Sequence, residues 1–249
     1  MEKIISVLNL KGGCGKTTTS ANMAYILAKD YGKRVLVIDN DKQGNITKTF
    51  NADASKKTLT DVIIGEPITA AIQTVENGID ICPADMNLLT ANLALITNTE
   101  IDQTAILKDS LAEVMDNYDY CIIDCPPDIN ISVIAALVAS DEVIIPVKVD
   151  GYAFEGMNIL LGQIHSAQQM NPKLKFRGCL ITMYQRSNVN EQGKEWLIKN
   201  GYHVFATHIR RSVKQDESTF ANMTLLEYSP YSAPAKDYRA FVKEYLEEG

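Results

Sequence analysis

Short apolar runs punctuate the chain at Lys3–Asn9, Arg34–Ile38, Ile79–Pro83, Tyr120–Asp124, Glu142–Val147, Phe176–Met183 and Tyr202–Thr207. Their length and their richness in Ile, Val and Leu predict buried strands. Between most of them apolar positions recur at helical spacing, for example over Thr17–Tyr31, Thr104–Asn117, Ile131–Ala139 and Glu155–Met170. Strands alternating with helices predict an α/β fold built on a doubly wound, mostly parallel sheet. The tail Ala235–Glu248 reads as a last helix with Tyr238, Phe241, Val242 and Tyr245 on one face. No Pro/Gly/Ser-rich linker, repeat or low-complexity stretch divides the chain, so residues 1–249 are expected to form one domain. No segment precedes the first strand, so no N-terminal helix-turn-helix domain for operator binding is expected.

Composition narrows the picture. Of the residues 46% are hydrophobic and 22% charged, the balance of a globular chain with a full core. No run of about 18 apolar residues predicts a membrane span, and no charged leader precedes an apolar region, so a cytoplasmic protein is expected. Five cysteines, an odd number without CxxC spacing, point to reduced thiols; Cys82, Cys121 and Cys179 sit in strand-like runs and read as buried hydrophobes. The net charge is −7, yet from Lys173 to Lys214 nine Lys and Arg face two acids, so that segment is +7 and the remainder −14. One basic face able to meet a polyanion is therefore expected on an acidic molecule.

The chemistry concentrates after the first strand. Lys11, Gly12, Gly13, Cys14, Gly15, Lys16, Thr17 and Thr18 stand between a strand and a helix. Glycines there let backbone N–H groups converge on phosphate oxygens, and the helix N-terminus adds a favourable dipole. Lys16 is placed to reach the β- and γ-phosphates of ATP and Thr17 to ligate Mg²⁺. The generic P-loop has a glycine where this chain has Leu10; Lys11 and Gly12 follow instead, the deviant Walker A arrangement. Two further strands end in acids. Arg34–Ile38 runs into Asp39 and Asp41, and Cys121–Ile123 into Asp124, at the carboxyl ends where open α/β sheets bind ligands. Asp124 reads as the Walker B acid holding Mg²⁺, Asp39 as a second carboxylate near the metal, and Asp41 as the residue orienting the attacking water.

Taken together, NLKGGCGKTTTSANMA from Asn9, VLVIDNDKQGN from Val35, YDYCIIDCPPDINI from Tyr118, ALVASDEVIIPV from Ala136, YAFEGM from Tyr152, LITMY from Leu180 and THIRRSVKQDES from Thr207 resemble the ParA/Soj family of partition ATPases. That family belongs to the wider deviant Walker A class that includes MinD and nitrogenase iron proteins. The resemblance implies an ATP-dependent homodimer in which Lys11 reaches the partner's ATP, Lys16 and Thr17 hold phosphate and Mg²⁺, and Asp41 serves hydrolysis. It also implies non-specific DNA binding near Arg186, Arg211 and Lys214 in the ATP state, hence nucleoid association, and a ParB-like protein that stimulates hydrolysis. The chain departs from the family at Lys42 and Arg210, where proline is usual, at Gln185, where aspartate is frequent, and at Cys14, where valine or isoleucine is common. A MinD-like membrane cycle would need a basic amphipathic tail, whereas this one ends in Glu247 and Glu248, which anionic lipid repels. Positioning of a cargo other than DNA uses the same chemistry and is the second reading.

Overall fold

The computed structural model of the chain describes residues 1–97, 102–150 and 156–248. Its strands are β1 (Lys3–Val7), β2 (Val35–Asp39), β3 (Gln73–Thr74), β4 (Asp80–Cys82), β5 (Tyr120–Asp124), β6 (Glu142–Lys148) and β7 (Lys175–Thr182). They form one sheet in the order β3-β4-β2-β5-β1-β6-β7. Every pairing is parallel except β3 with β4. The doubly wound, mostly parallel sheet expected from the alternating pattern is the fold observed.

Period-two alternation decides the layers. Leu36 and Ile38 of β2, and Cys121 and Ile123 of β5, enter one core, while Val35 and Val37 and Ile122 enter the other. The first core is covered by α3 (Leu59–Ile63), α5 (Leu88–Thr97), α6 (Ile106–Ala112), α7 (Ile131–Ala139) and α8 (Met157–Met170). The second is covered by α1 (Lys16–Lys29), α11 (Leu225–Tyr228) and α12 (Ala233–Glu247). Shorter or outlying helices are α2 (Asn45–Thr49), α4 (Ile68–Ala71), α9 (Asn188–Lys199) and α10 (Val213–Phe220). Helices on both faces bury the central strands completely, which is why those strands read as continuous apolar runs.

Three expectations are corrected. Tyr202–Thr207 forms no strand; it makes an isolated bridge from Val204 to Cys179 and two backbone hydrogen bonds, Cys179 N to His203 O and Phe205 N to Cys179 O. Gly178, with φ 148°, lets this segment come so close that an added Cβ would lie 2.5 Å from the His203 ring. The helix expected over Thr104–Asn117 stops at Ala112 and is followed by a 3₁₀ turn at Met115–Asn117. The basic segment was expected to form one face, but Lys173 precedes β7, Lys175 and Arg177 stand at its start, and Arg186 lies past its end. Eight extended residues separate the two groups by roughly 23 Å. Glu155 and the first residues of the block from Tyr152 lie outside the described residues.

The tail helix closes the sheet's amino end. Tyr238, Phe241, Val242 and Tyr245 are all buried, as their spacing predicts. At its last turn the Tyr245 hydroxyl donates to Glu142 Oε2 at 2.6 Å, and Lys3 Nζ lies 3.0 Å from Glu142 Oε1. The Arg177 guanidinium stands 3.4 Å from Glu142 Oε2 and packs over the Tyr245 ring. Glu142 is only 3% exposed, so its charge depends on these partners. Tyr245→Phe is expected to lower stability by about 1.5–3 kcal/mol in chemical denaturation, because a buried carboxylate loses a hydrogen bond; an unchanged midpoint would mean that Lys3 and Arg177 hold Glu142 without it.

Candidate functional site

The loop after β1 is fixed at several points before α1 begins at Lys16. The Asn9 side-chain amide donates to Pro146 O at 2.7 Å and its carbonyl accepts from Lys11 N at 3.0 Å. Cys14 Sγ donates to Lys11 O, and the Thr182 hydroxyl, from the end of β7, donates to Cys14 O at 2.7 Å. Gly13 and Gly15 have φ of 67° and 86°, a region that strains any L side chain. Gly15 caps α1 without a side-chain acceptor, which leaves the helix's first N–H groups open to an anion. Lys16 is 7% exposed and its ammonium donates to Lys11 O at 3.1 Å. Lys11 itself turns outward, its ammonium hydrogen-bonded to Asp150 beyond β6.

Sheet register brings the acids to this loop. Asp124 pairs with Val7 on one side and Asp39 on the other, so the ends of β1, β5 and β2 lie abreast. Asp124 Oδ1 accepts from the Ser20 hydroxyl at 2.7 Å, whereas Oδ2 is buried without a hydrogen-bond partner among the described residues. Burial pushes this carboxyl up to about 6, against the pull of the Ser20 and Thr17 hydroxyls and the Lys16 charge. An orphaned carboxylate oxygen beside the Thr17 hydroxyl suits a hard divalent cation. No group of three or more His, Cys, Asp or Glu among the described residues could hold a metal ion, so such a cation needs further oxygens from water or a bound anion.

Asp39 is also fully buried, and burial together with the Asp124 charge pushes it up to about 7. Both its oxygens are engaged: Oδ2 accepts from Thr47 N and Oγ1 at 3.0 and 2.6 Å, and Oδ1 from Asp41 N at 3.1 Å. Its position therefore orders the loop from Asp41 to Thr47. Asp41, 8% exposed, accepts from Gln43 N. Lys42 lies 3.6 Å from Asp128, which joins the loop after β2 to the loop after β5 where a proline would have stiffened only one of them.

Beside the phosphate loop opens a cleft of about 240 Å³, lined by Gly13, Gly15 and Thr18 on one side and by Thr182, Met183, Arg210, Arg211 and Gln215 on the others. A bridge between Tyr184 and Arg210 lays residues 209–211 along the exit from β7. Arg186 and Arg211 both stand past the end of β7, exposed and without an ion pair among the described residues. Lys214, in the first turn of α10, pairs with Glu217 at 2.7 Å. Arg210, one of the nine basic residues counted between Lys173 and Lys214, is neutralised by a two-point pair with Asp237.

The model of a family described as AAA domain matches residues 2–176. The sporulation initiation inhibitor protein Soj of Bacillus subtilis is 38% identical, with 100% of each chain covered. The chain belongs to the ParA/Soj family of ATPases. The chromosome partitioning protein ParA of Caulobacter vibrioides is 34% identical over 98% of this chain and 94% of its own. Among solved structures, cobyrinic acid a,c-diamide synthase from Mycobacterium smegmatis with bound ATP analogue and magnesium superposes with a TM-score of 0.88 at 29% identity, covering 100% of this chain and 95% of that one.

Within this ParA/Soj member the residue pattern located the loop and its acids but not their supports. Asn9 had a visible signal, a polar side chain at the end of an apolar run, whereas Ser20 is masked by Thr17, Thr18, Thr19 and Asn22 around it. Thr47, Asp150, Thr182 and Asp237 had none, because their roles arise from contacts made across the fold. All five cysteines are buried, and burial pushes the Cys125 thiol up to about 12.

Proposed function

We propose that the chain is an ATPase of DNA partition: ATP with Mg²⁺ drives it into a dimer, the dimer binds DNA without sequence preference, and a ParB-like partner stimulates hydrolysis. The observation that carries this reading is the cleft in which Arg211 and the phosphate loop face one another, since it joins the nucleotide to the exposed arginines. Backbone N–H groups from Gly12 to Thr18 and the Lys16 ammonium hold the phosphates. Magnesium, held by Thr17 and Asp124, supplies charge neutralisation at those phosphates when bound. Asp41 orients the attacking water, and Asp39 positions Asp41 through its amide rather than acting as a direct ligand. ATP-free monomers are cytoplasmic and the ATP dimer is nucleoid-associated; among the described residues no helix is long and apolar enough to cross a membrane.

Lys11 gives the dimer step its trigger. In one chain its ammonium is taken up by Asp150, so reaching a partner's phosphate requires that pair to open. Lys11→Ala is expected to abolish ATP-dependent dimerisation in light scattering, while Asp150→Asn lowers the ATP concentration needed for it. A Lys11→Ala protein that still dimerises would restrict this lysine to its own chain.

DNA binding follows from charge. Each phosphate neutralised lowers log affinity by about 0.9 per unit of log salt, so a dimer, with twice the contacts of a monomer, binds far more tightly at physiological salt. Mobility shifts at two salt concentrations should show binding to unrelated duplexes with ATP and not with ADP. Arg186→Glu and Arg211→Glu should weaken it most, and Lys214→Glu less because Glu217 already holds that charge. Absence of binding with ATP at low salt, or equal binding with ADP, would replace this reading with the positioning of a cargo other than DNA.

A further inference from the structure

We infer that Arg210 forms a planar wall of the nucleoside pocket and that Asp237 is the residue that positions it. The phosphate loop fixes where a triphosphate sits, and the cleft that opens from Gly13, Gly15 and Thr18 is the space into which the rest of a nucleotide extends. Its far side is built from two backbone segments held against each other. Tyr184 N donates to Ile209 O, Arg211 N to Tyr184 O, and Ile209 N to Ile181 O, all between 2.8 and 3.1 Å. Tyr238, which also lines the cleft, is fully buried and hydrogen-bonded to Thr19 of α1. The pocket walls are therefore rigid on the α1, β7 and α12 sides.

Arg210 is the large charged side chain lining this space whose orientation is fixed by multiple contacts. Its Nε and Nη2 donate to Asp237 Oδ2 and Oδ1 at 2.8 and 2.6 Å, Nη2 also reaches Ala233 O at 3.2 Å, and its backbone N donates to Asp237 at 3.0 Å. Asp237 is only 13% exposed and so anchors the fork, while the Arg210 side chain stays half exposed with a face open. With its charge answered in the guanidinium plane, the group gains little by contacting phosphate and presents a flat π-face instead. Flat guanidinium faces stack on aromatic rings, and stacking tolerates any base. Lysine at this position would lack the plane, and proline would lack both the reach and the anchor on α12. Stacking therefore sets how tightly the nucleoside is held, independently of hydrolysis and of DNA.

The inference rests on nucleotide binding at the phosphate loop, and its test separates the two. Binding of ATP, ADP and inorganic tripolyphosphate is measured by calorimetry on the full chain. Arg210→Ala should weaken ATP and ADP alike, by about tenfold, and leave tripolyphosphate unchanged; Arg210→Lys should behave as Arg210→Ala does. Asp237→Asn should weaken both nucleotides by a smaller factor, with Asp237→Glu partly restoring them. Retained tripolyphosphate binding shows that a weakened variant is folded. Equal weakening of tripolyphosphate by a variant whose circular dichroism is native would make Arg210 a phosphate contact and overturn the inference. So would an Arg210→Lys protein with wild-type nucleotide affinity. A wild type that binds none of the three would instead remove the nucleotide reading itself.

Discussion

Asp39 and Asp124 end two paired strands side by side, each removed from water, and most of the molecule's architecture at this end answers the cost of placing them there. Asp39 is answered wholly from within the chain, by the Thr47 hydroxyl and amide and the Asp41 amide, which makes it the organiser of the loop that carries Asp41. Asp124 is answered only in part. Ser20 satisfies one oxygen, Lys16 lends nearby charge, and the other oxygen stays buried without a partner among the described residues. A native fold keeps such an unpaired group where something else completes it.

The same end of the sheet gathers the residues to which the proposed function assigns the dimer contact and DNA binding. Lys11 is held on Asp150, the arginines at 186 and 211 stand past β7, and α12 reaches the cleft through Asp237 and Tyr238. Far from the site, the last turn of α12 is fastened by Glu142, Arg177 and Lys3. One helix thus spans from the cleft to the amino end of the sheet, anchored at both ends by buried or half-buried charge. That anchorage gives the cleft a fixed wall, against which the loops after β2 and β7 are set.

The sheet and the loop were legible because their physics is local or periodic. Ile131–Ala139 was read to the residue from its apolar positions at helical spacing, and the structure adds the Asn130 cap. The face of α12 was read equally well. Other elements were hidden by particular causes. In α5, Leu89, Leu93 and Ile96 are 48%, 60% and 57% exposed, so the stripe that signals a buried face is blurred. The helices α9 and α10 have charged bodies without an apolar stripe, so the sequence pattern did not show them; in the structure Ser187 and Ser212 cap their starts. At the site, sequence set Asp124 as the main and Asp39 as a second carboxylate near the metal; only the hydrogen bonds show that Asp39 is satisfied within the chain and Asp124 is not. The basic segment misled because charge was counted along the chain, while β7 carries its two ends to opposite sides of the molecule.

The unpartnered Asp124 oxygen is proposed to be completed by a cation. Calorimetric titration of ATP into the wild type and into Asp124→Asn, with Mg²⁺ present and with it chelated, tests this directly. The account predicts that Mg²⁺ strengthens ATP binding to the wild type by at least about tenfold, or 1.4 kcal/mol, and that most of this gain is lost in Asp124→Asn while metal-free binding persists. An Asp124→Asn protein with the full Mg²⁺ dependence would contradict it.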